Sequence, residues 1–285
     1  MASIRDIRRR IRTVRNIQQI TKALKMVAVA RLQRAQSRAT AARPYADEML
    51  AIMRHLASVG GEIQHPLLEV REPVNIGVLV ITSDRGMAGS YNTNIIRKVS
   101  EIIRPYSPEN VKLICVGRKG RNFFSKSAYP VIESYSMPSA EVHFAEARDI
   151  SLQIRGLFES HQVDVVHVVY TKFYNAMRQQ VTDLILLPAA PPEGQGADTA
   201  EDYIFEPRPE ELLGSLLPKY VDTQIYRALL ESLASEHGAR MTAMTSATDS
   251  AGEMIDRLTL DYNRARQSAI TKEIAEIVGG ANALS

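Results

Sequence analysis

The sequence predicts an α/β fold in which a mostly parallel, helix-covered sheet sits between two long terminal helices that wind together as an antiparallel coiled coil. Three observations carry this reading. Apolar residues recur in steps of three and four at both ends of the chain. Short β-branched runs alternate with helix-like stretches in the middle. The composition, 45% hydrophobic with 6% aromatic residues and no Trp, suits long helices around a modest core. The chain divides accordingly into a coiled-coil helix over 1–60, an α/β region with a connecting loop over 61–209, and a second coiled-coil helix over 210–285.

The first helix opens with Ile4, Ile7, Ile11, Val14, Ile17, Ile20, Leu24 and Val27 as a seam, then continues through Ala28, Leu32, Ala35, Ala39, Ala42, Ala46, Met49, Met53 and Leu56. The small residues at its centre permit close helix approach. Pro44 lacks an amide donor and is expected to kink or break this stretch, which Gly60-Gly61 ends. Extended runs follow at Val74 to Ile81, Val111 to Val116, Val131 to Tyr135, Val163 to Tyr170 and Val181 to Leu187, most of them separated by helical stretches such as Asn92 to Arg104 and Ala140 to Ser160. Strand, helix and strand in succession predict a Rossmann-like parallel sheet, with an antiparallel pairing open to the last two strands. Ala189 to Pro209, rich in Pro, Gly and acid, reads as a loop back to the second helix. There Met241, Met244, Thr248, Ala251, Ile255, Leu258, Tyr262, Ala265 and Ala269 again alternate three and four, and Ile270, Ile274 and Ile277 form the last apolar face. One helix over 210–278 would span on the order of 100 Å at roughly 1.5 Å per residue.

Charge is unevenly placed. The formal net is +3, yet residues 1–43 carry twelve Lys or Arg against Asp6 alone, so the rest of the chain is net acidic. The first helix is therefore suited to an acidic surface, whether nucleic acid, anionic lipid or protein. A leucine-zipper factor places its basic region ahead of its heptads; here the arginines interleave with the isoleucines and no aromatic platform accompanies them, so nucleic acid is not the expected partner. The start of the chain lacks an apolar signal core and no membrane-length apolar span occurs, which leaves membrane association to partners. The single cysteine, Cys115, sits in an apolar run and is expected to pack as a small hydrophobe.

No catalytic constellation is found. Ser83-Asp-Arg-Gly-Met-Ala-Gly-Ser-Tyr-Asn92 lies between a strand and a helix, where a phosphate loop would be, but it fits neither the dinucleotide fingerprint nor the P-loop with its lysine. It reads as a structural loop, with Gly86 and Gly89 supplying unusual dihedrals or close approach and Asp84 or Ser90 capping. Val116-Gly-Arg-Lys-Gly120 reads as a helix start, with anion binding as the other use of its two cations. The six histidines show no metal-ligand spacing, and no cofactor is expected. On the residues alone two classes remain: a mechanical, non-catalytic shaft, and a nucleotide- or anion-binding α/β protein with a coiled-coil oligomerisation arm.

Several stretches then resemble one family, the gamma subunits of rotary ATP synthases. They are Ile20-Thr-Lys-Ala-Leu-Lys-Met-Val-Ala28, the loop from Ser83, Ala234-Ser-Glu-His-Gly-Ala-Arg-Met-Thr-Ala-Met244, Asp261-Tyr-Asn-Arg-Ala-Arg-Gln267, and Ile270-Thr-Lys-Glu-Ile-Ala-Glu-Ile-Val-Gly-Gly-Ala-Asn-Ala283. Ala88 and Ser90 stand where many members carry Cys and Gly. The resemblance covers Ile4 to Leu284 and implies a central-stalk rotor, one copy per complex, coupling ion-driven c-ring rotation to the catalytic ring in ATP synthesis and the reverse in hydrolysis. It implies no catalytic, cofactor or metal residues. The implied partners are the alpha and beta subunits of the alpha3beta3 ring, the epsilon subunit and the c-ring. The implied location is the cytoplasmic face of a bacterial cell membrane, reached only through partners. Contacts with the ring carry over to Arg266, Gln267 and Arg240, and Lys22, Arg9 and Arg12 are added here on charge. Ile274, Ile277 and Leu284 are expected in an apolar bearing, and Tyr203, Phe205 and Glu206 at the foot near the c-ring. The redox segment of chloroplast members is missing, as is a second cysteine.

Overall fold

The structure, a computed structural model, describes residues 4–59, 65–138, 141–189 and 209–284. In chain order these form α1 (Ile4–Val59), β1 (Ile76–Ile81), α2 (Tyr91–Ile103), β2 (Val111–Val116), α3 (Arg118–Phe124), β3 (Val131–Tyr135), α4 (Phe144–Glu159), β4 (Val165–Phe173), β5 (Gln179–Leu187) and α5 (Pro209–Leu284). The predicted loop after Ala189 lies outside the described residues. The chain divides into two compact units, residues 1–28 with 241–285, and residues 29–240, and both boundaries fall within helices.

In the larger unit the strands run in the order β3-β2-β1-β4-β5. β1 pairs in parallel with β2 and β4, β2 pairs in parallel with β3, and β4 and β5 are antiparallel. β1 is central and buried at every position, which is why its sequence is an unbroken apolar run instead of an alternation. β3 lies at an edge and exposes Ile132, Glu133 and Ser134. The β4–β5 turn is closed by Asn175, whose Oδ1 accepts from the amides of Met177 at 2.9 Å and Arg178 at 2.7 Å. Because that turn is tight, the strands reach Phe173 and start at Gln179, beyond the apolar runs that marked them in the sequence. On one face of the sheet, Tyr91, Ile95, Val99 and Ile103 of α2, four residues apart, bury against Ile76, Val78, Val80, Leu113, Cys115 and Val169. Burial pushes the Cys115 thiol up to about 12, leaving it protonated and inert.

α1 differs from the sequence reading in its seam, and Pro44 does not break it. Pro44 lies inside a helix that continues without a break to Val59. Thr40 and Pro44 are both exposed, so water can take the carbonyl that the proline cannot bond, while Ala39 and Ala46 stay buried on the opposite side. The seam also differs. Ile17, Ile20 and Val27 are 48%, 58% and 50% exposed, whereas Thr21 is 8% exposed and Gln18 and Lys25 are half-buried. The buried line runs through residues 4, 7, 11, 14, 18, 21, 25, 28, 32, 35 and 39, an unbroken alternation of three and four. Steps of three from Ile11 to Val14, Ile17 and Ile20 turn the position by about 180°, since each residue advances about 100°. The isoleucines thus make a second, outward apolar stripe, and polar residues take the seam.

Candidate functional site

In the smaller unit α1 and α5 run antiparallel: as partners advance along α1 they retreat along α5. Arg8 Nη2 donates to Tyr262 Oη at 2.7 Å, Gln18 Nε2 to the Thr248 carbonyl at 3.5 Å, and Thr248 Oγ1 to Thr21 Oγ1 at 2.8 Å. A Cβ on Gly252 would stand 3.2 Å from Gln18 Nε2, so the glycine lets the backbones close. Ile7, Thr21, Ala28, Met244 and Ala251 are buried along the seam. Arg8 also lies over the Tyr262 ring at 5.5 Å, and its hydrogen bond lowers the pKa of that hydroxyl.

Outside the seam α1 is cationic and partly apolar, while α5 mixes cations with exposed carboxylates such as Asp249, Glu253 and Asp256. Among the described residues Arg9 pairs with Asp6 alone, at 3.1 Å, with 80% of its side chain exposed. Arg12, Lys22 and Arg266 are exposed and form no ion pair among the described residues, and Gln267 is exposed beside Arg266. Ile274 and Ile277 are 56% and 71% exposed, and α5 continues to Leu284. Tyr203, Phe205 and Glu206 lie outside the described residues. The outward line of Ile17, Ile20 and Val27 was missed in the sequence because it was assigned to the seam.

Arg240 belongs to the larger unit and turns inward. Its guanidinium meets Glu236 Oε1 at 2.6 Å, the Gly86 carbonyl at 3.3 Å and His237 Nδ1 at 3.2 Å, with 12% of the side chain exposed. Burial raises the Glu236 carboxyl and Arg240 pulls it back. Burial, with the charges of Arg240 and Arg31, lowers the His237 imidazole to about 4 and keeps it neutral.

The loop from Ser83 to Asn92 spends its polar groups on itself and on α3. Ser83 N donates to Asn92 Oδ1 at 2.9 Å, and Asp84 Oδ1 accepts from Arg118 N at 2.9 Å. Met87 and Gly89 have positive φ, of 62° and 55°. Ser90 occupies the N-cap position of α2 without a side-chain cap bond. At the start of α3, Lys119 N donates to the Ser83 carbonyl at 3.1 Å and Gly120 N to Thr82 Oγ1 at 2.9 Å. The amides at the start of α3 are therefore in use within the fold. In doubly wound sheets a ligand lies at the switch point, here between the carboxyl ends of β1 and β4. α5 reaches both sides of that place, through Ser235 Oγ to the Thr171 carbonyl at 3.0 Å and through Arg240 to Gly86.

The ATP synthase family profile matches residues 3–284. An ATP synthase gamma chain from Heliobacterium modesticaldum is 50% identical over 291 residues, covering 100% of both chains. One from Desulfitobacterium hafniense is 50% identical over 284 residues with the same coverage. This chain belongs to the ATP synthase gamma family. Among solved structures, the Tetrahymena thermophila mitochondrial ATP synthase central stalk and c-ring contains a chain 27% identical, with a TM-score of 0.60 over 80% of this chain and 99% of that one. A Euglena gracilis mitochondrial ATP synthase rotor chain is 20% identical and shares the fold at a TM-score of 0.70 over 94% and 98%. As a gamma chain, the protein is a non-catalytic subunit of ATP synthase, and its α/β sheet with long terminal helices is the fold of that family's central stalks. Among the described residues no helix is long and apolar enough to cross a membrane, and no group of three or more His, Cys, Asp or Glu is placed to hold a metal.

Proposed function

We propose that the paired helices of this gamma chain are the driven shaft of the rotor, turning inside a ring of alternating alpha and beta subunits and coupling ion-driven rotation of a c-ring to ATP synthesis, or ATP hydrolysis to the reverse rotation. The observation that carries this reading is the second apolar stripe. The pair already buries one seam within itself, yet it holds Ile17, Ile20 and Val27 outward, on the same helix as Arg12 and Lys22, which form no ion pair among the described residues. A solvated coil has no use for such a surface, whereas a shaft in a close-fitting sleeve does. As the shaft turns it presents each beta subunit with a different face, and the differential contacts bias each catalytic site through its states in order.

Arg266 and Gln267 take the contacts with the ring, and Lys22, Arg9 and Arg12 add attraction to acidic segments. Ile274, Ile277 and Leu284 turn in an apolar bearing, where few hydrogen bonds form to be broken. Tyr203, Phe205 and Glu206 belong to the foot at the c-ring, beside the epsilon subunit. One copy serves each complex, held through partners at the cytoplasmic face of the cell membrane. Helix segments at 1–60 and 210–285 form the shaft, and 61–209 the α/β body with its connecting loop.

Single-molecule rotation of the reconstituted complex tests this. Charge reversal, Arg266→Glu, is expected to lower the torque at stall while the complex still assembles. Unchanged stalling would remove Arg266 from the contact, and a complex that hydrolyses ATP without turning this chain would sink the shaft.

A further inference from the structure

Arg240 is the last residue of the larger unit, and its charge is committed within that unit. Its partner Glu236 is 8% exposed at the side chain and lies 2.6 Å away, one helical turn back. A carboxylate buried to that degree stays ionised only with a cation in reach, and removing the cation strands it. The same guanidinium nitrogen lies 3.3 Å from the carbonyl of Gly86, 154 residues away in the chain. That carbonyl is displayed by the loop between β1 and α2, next to Met87, which holds a φ of 62° and is 59% exposed. Two further contacts flank it on α5. Ser235 Oγ donates to the Thr171 carbonyl of β4 at 3.0 Å, and Gly238 faces Gln179 of β5 so closely that a Cβ would lie 2.6 Å from Nε2.

A hydroxyl, a missing side chain and a guanidinium thus key α5 to β4, to β5 and to the loop after β1. Apolar burial is non-directional and leaves a helix comparatively free to turn about its own axis. Hydrogen bonds are directional and fix its phase.

We propose that Arg240 is a positioning residue that clamps α5 to the loop 83–92, so that helix and sheet rotate as one body when torque passes between them. Its purpose rests on the rotor reading, but its geometry does not. A cation facing the ring, such as Arg266, would be spent outward; Arg240 is spent inward.

The test uses the full chain with Arg240→Met, Glu236→Gln and the double variant. In Arg240→Met the amides of residues 84–90 are expected to exchange hydrogen at least about tenfold faster, while those of β2 and β3 keep their rates, a pattern that general destabilisation would not give. The double variant is expected to recover the melting temperature lost in Arg240→Met, because no buried ion is left unpaired, yet to keep the fast loop. If Arg240→Met does not fold, the double variant carries the loop measurement. In the reconstituted complex the double variant is expected to lose stall torque. Parent-like loop exchange in the variant chains overturns the clamp. Loss of torque with an undisturbed loop would assign Arg240 to the ring instead. A fast loop with unchanged torque would refute its part in transmission while leaving the shaft reading to the Arg266 test.

Discussion

Replacing Gly117 by Ala should be among the most damaging single methyl additions in this chain. Gly117 has φ 92° and ψ 139°, a region costly for any residue with a Cβ, about 1–3 kcal/mol. The new Cβ would stand 2.2 Å from the Thr82 carbonyl oxygen, a main-chain atom with no rotamer by which to retreat. Relief requires β1 and β2 to part at their carboxyl ends. That strains Thr82 N to the Val116 carbonyl at 2.8 Å and Thr82 Oγ1 to the same carbonyl at 3.0 Å, each worth about 1 kcal/mol when buried. Together these give a loss of about 4 kcal/mol, or a fall in melting temperature of roughly 10 °C for a protein of this size. Gly156→Ala supplies the control: it is in α4, no atom lies within 4 Å of the added Cβ, and helix propensity alone predicts a gain of about 1 kcal/mol. Thermal and urea unfolding of the two variants should therefore move in opposite directions. If Gly117→Ala melts within a degree or two of the parent, the junction on which the closed β1–α2 loop rests is looser than its geometry implies.

Three further outcomes can be checked. Thr248→Val should lower the local stability of the helix pair by about 1 kcal/mol, and a double cycle with Thr21→Val should show a coupling of similar size, read by hydrogen exchange across α1. Ile7→Ala should cost about 2 kcal/mol in the same measurement, whereas Ile20→Ala should stay within about 0.5 kcal/mol, because Ile7 is 7% exposed and Ile20 58%. Equal effects would restore the isoleucine seam. For His237 the folded pKa is depressed from 6.5 to about 4, so the unfolded chain takes up the proton first. Stability should be fully retained above 6.5 and fall towards pH 4, by up to on the order of 3 kcal/mol. Glu236, raised by burial, acts in the opposite sense, so the measurement is the difference in stability between parent and His237→Gln, which should be constant above pH 6.5 and shift against the parent below it.

The bounds of β2 and β3 were legible because turn residues and helix starts close both runs, whereas the sequence left the pairing of the last two strands open and the structure makes it antiparallel. The phase of α1 was not legible between Val14 and Ala28. There the most apolar residues point away from the partner helix, and a rule that sends isoleucine inward picks the wrong side. Arg240 was ambiguous for a related reason: a cation on a helix reads as surface, and its acceptor at Gly86 is joined to it by folding alone. Pro44 stays within its helix because the carbonyl it orphans faces water, a matter of facing that the residue type does not encode. The candidates at the far end of α5 could be named from motifs, but their exposure only has meaning beside the surfaces that meet them.

The outward stripe has a cost before assembly. A newly made chain carries Ile17, Ile20 and Val27 about half bare to water, on the side of α1 turned away from its seam. Such a surface invites self-association and capture by chaperones until it is covered. Under the sleeve reading proposed above, the abundance of free chain must be kept low, and synthesis in step with the subunits that form the sleeve becomes a requirement written into one face of its first helix.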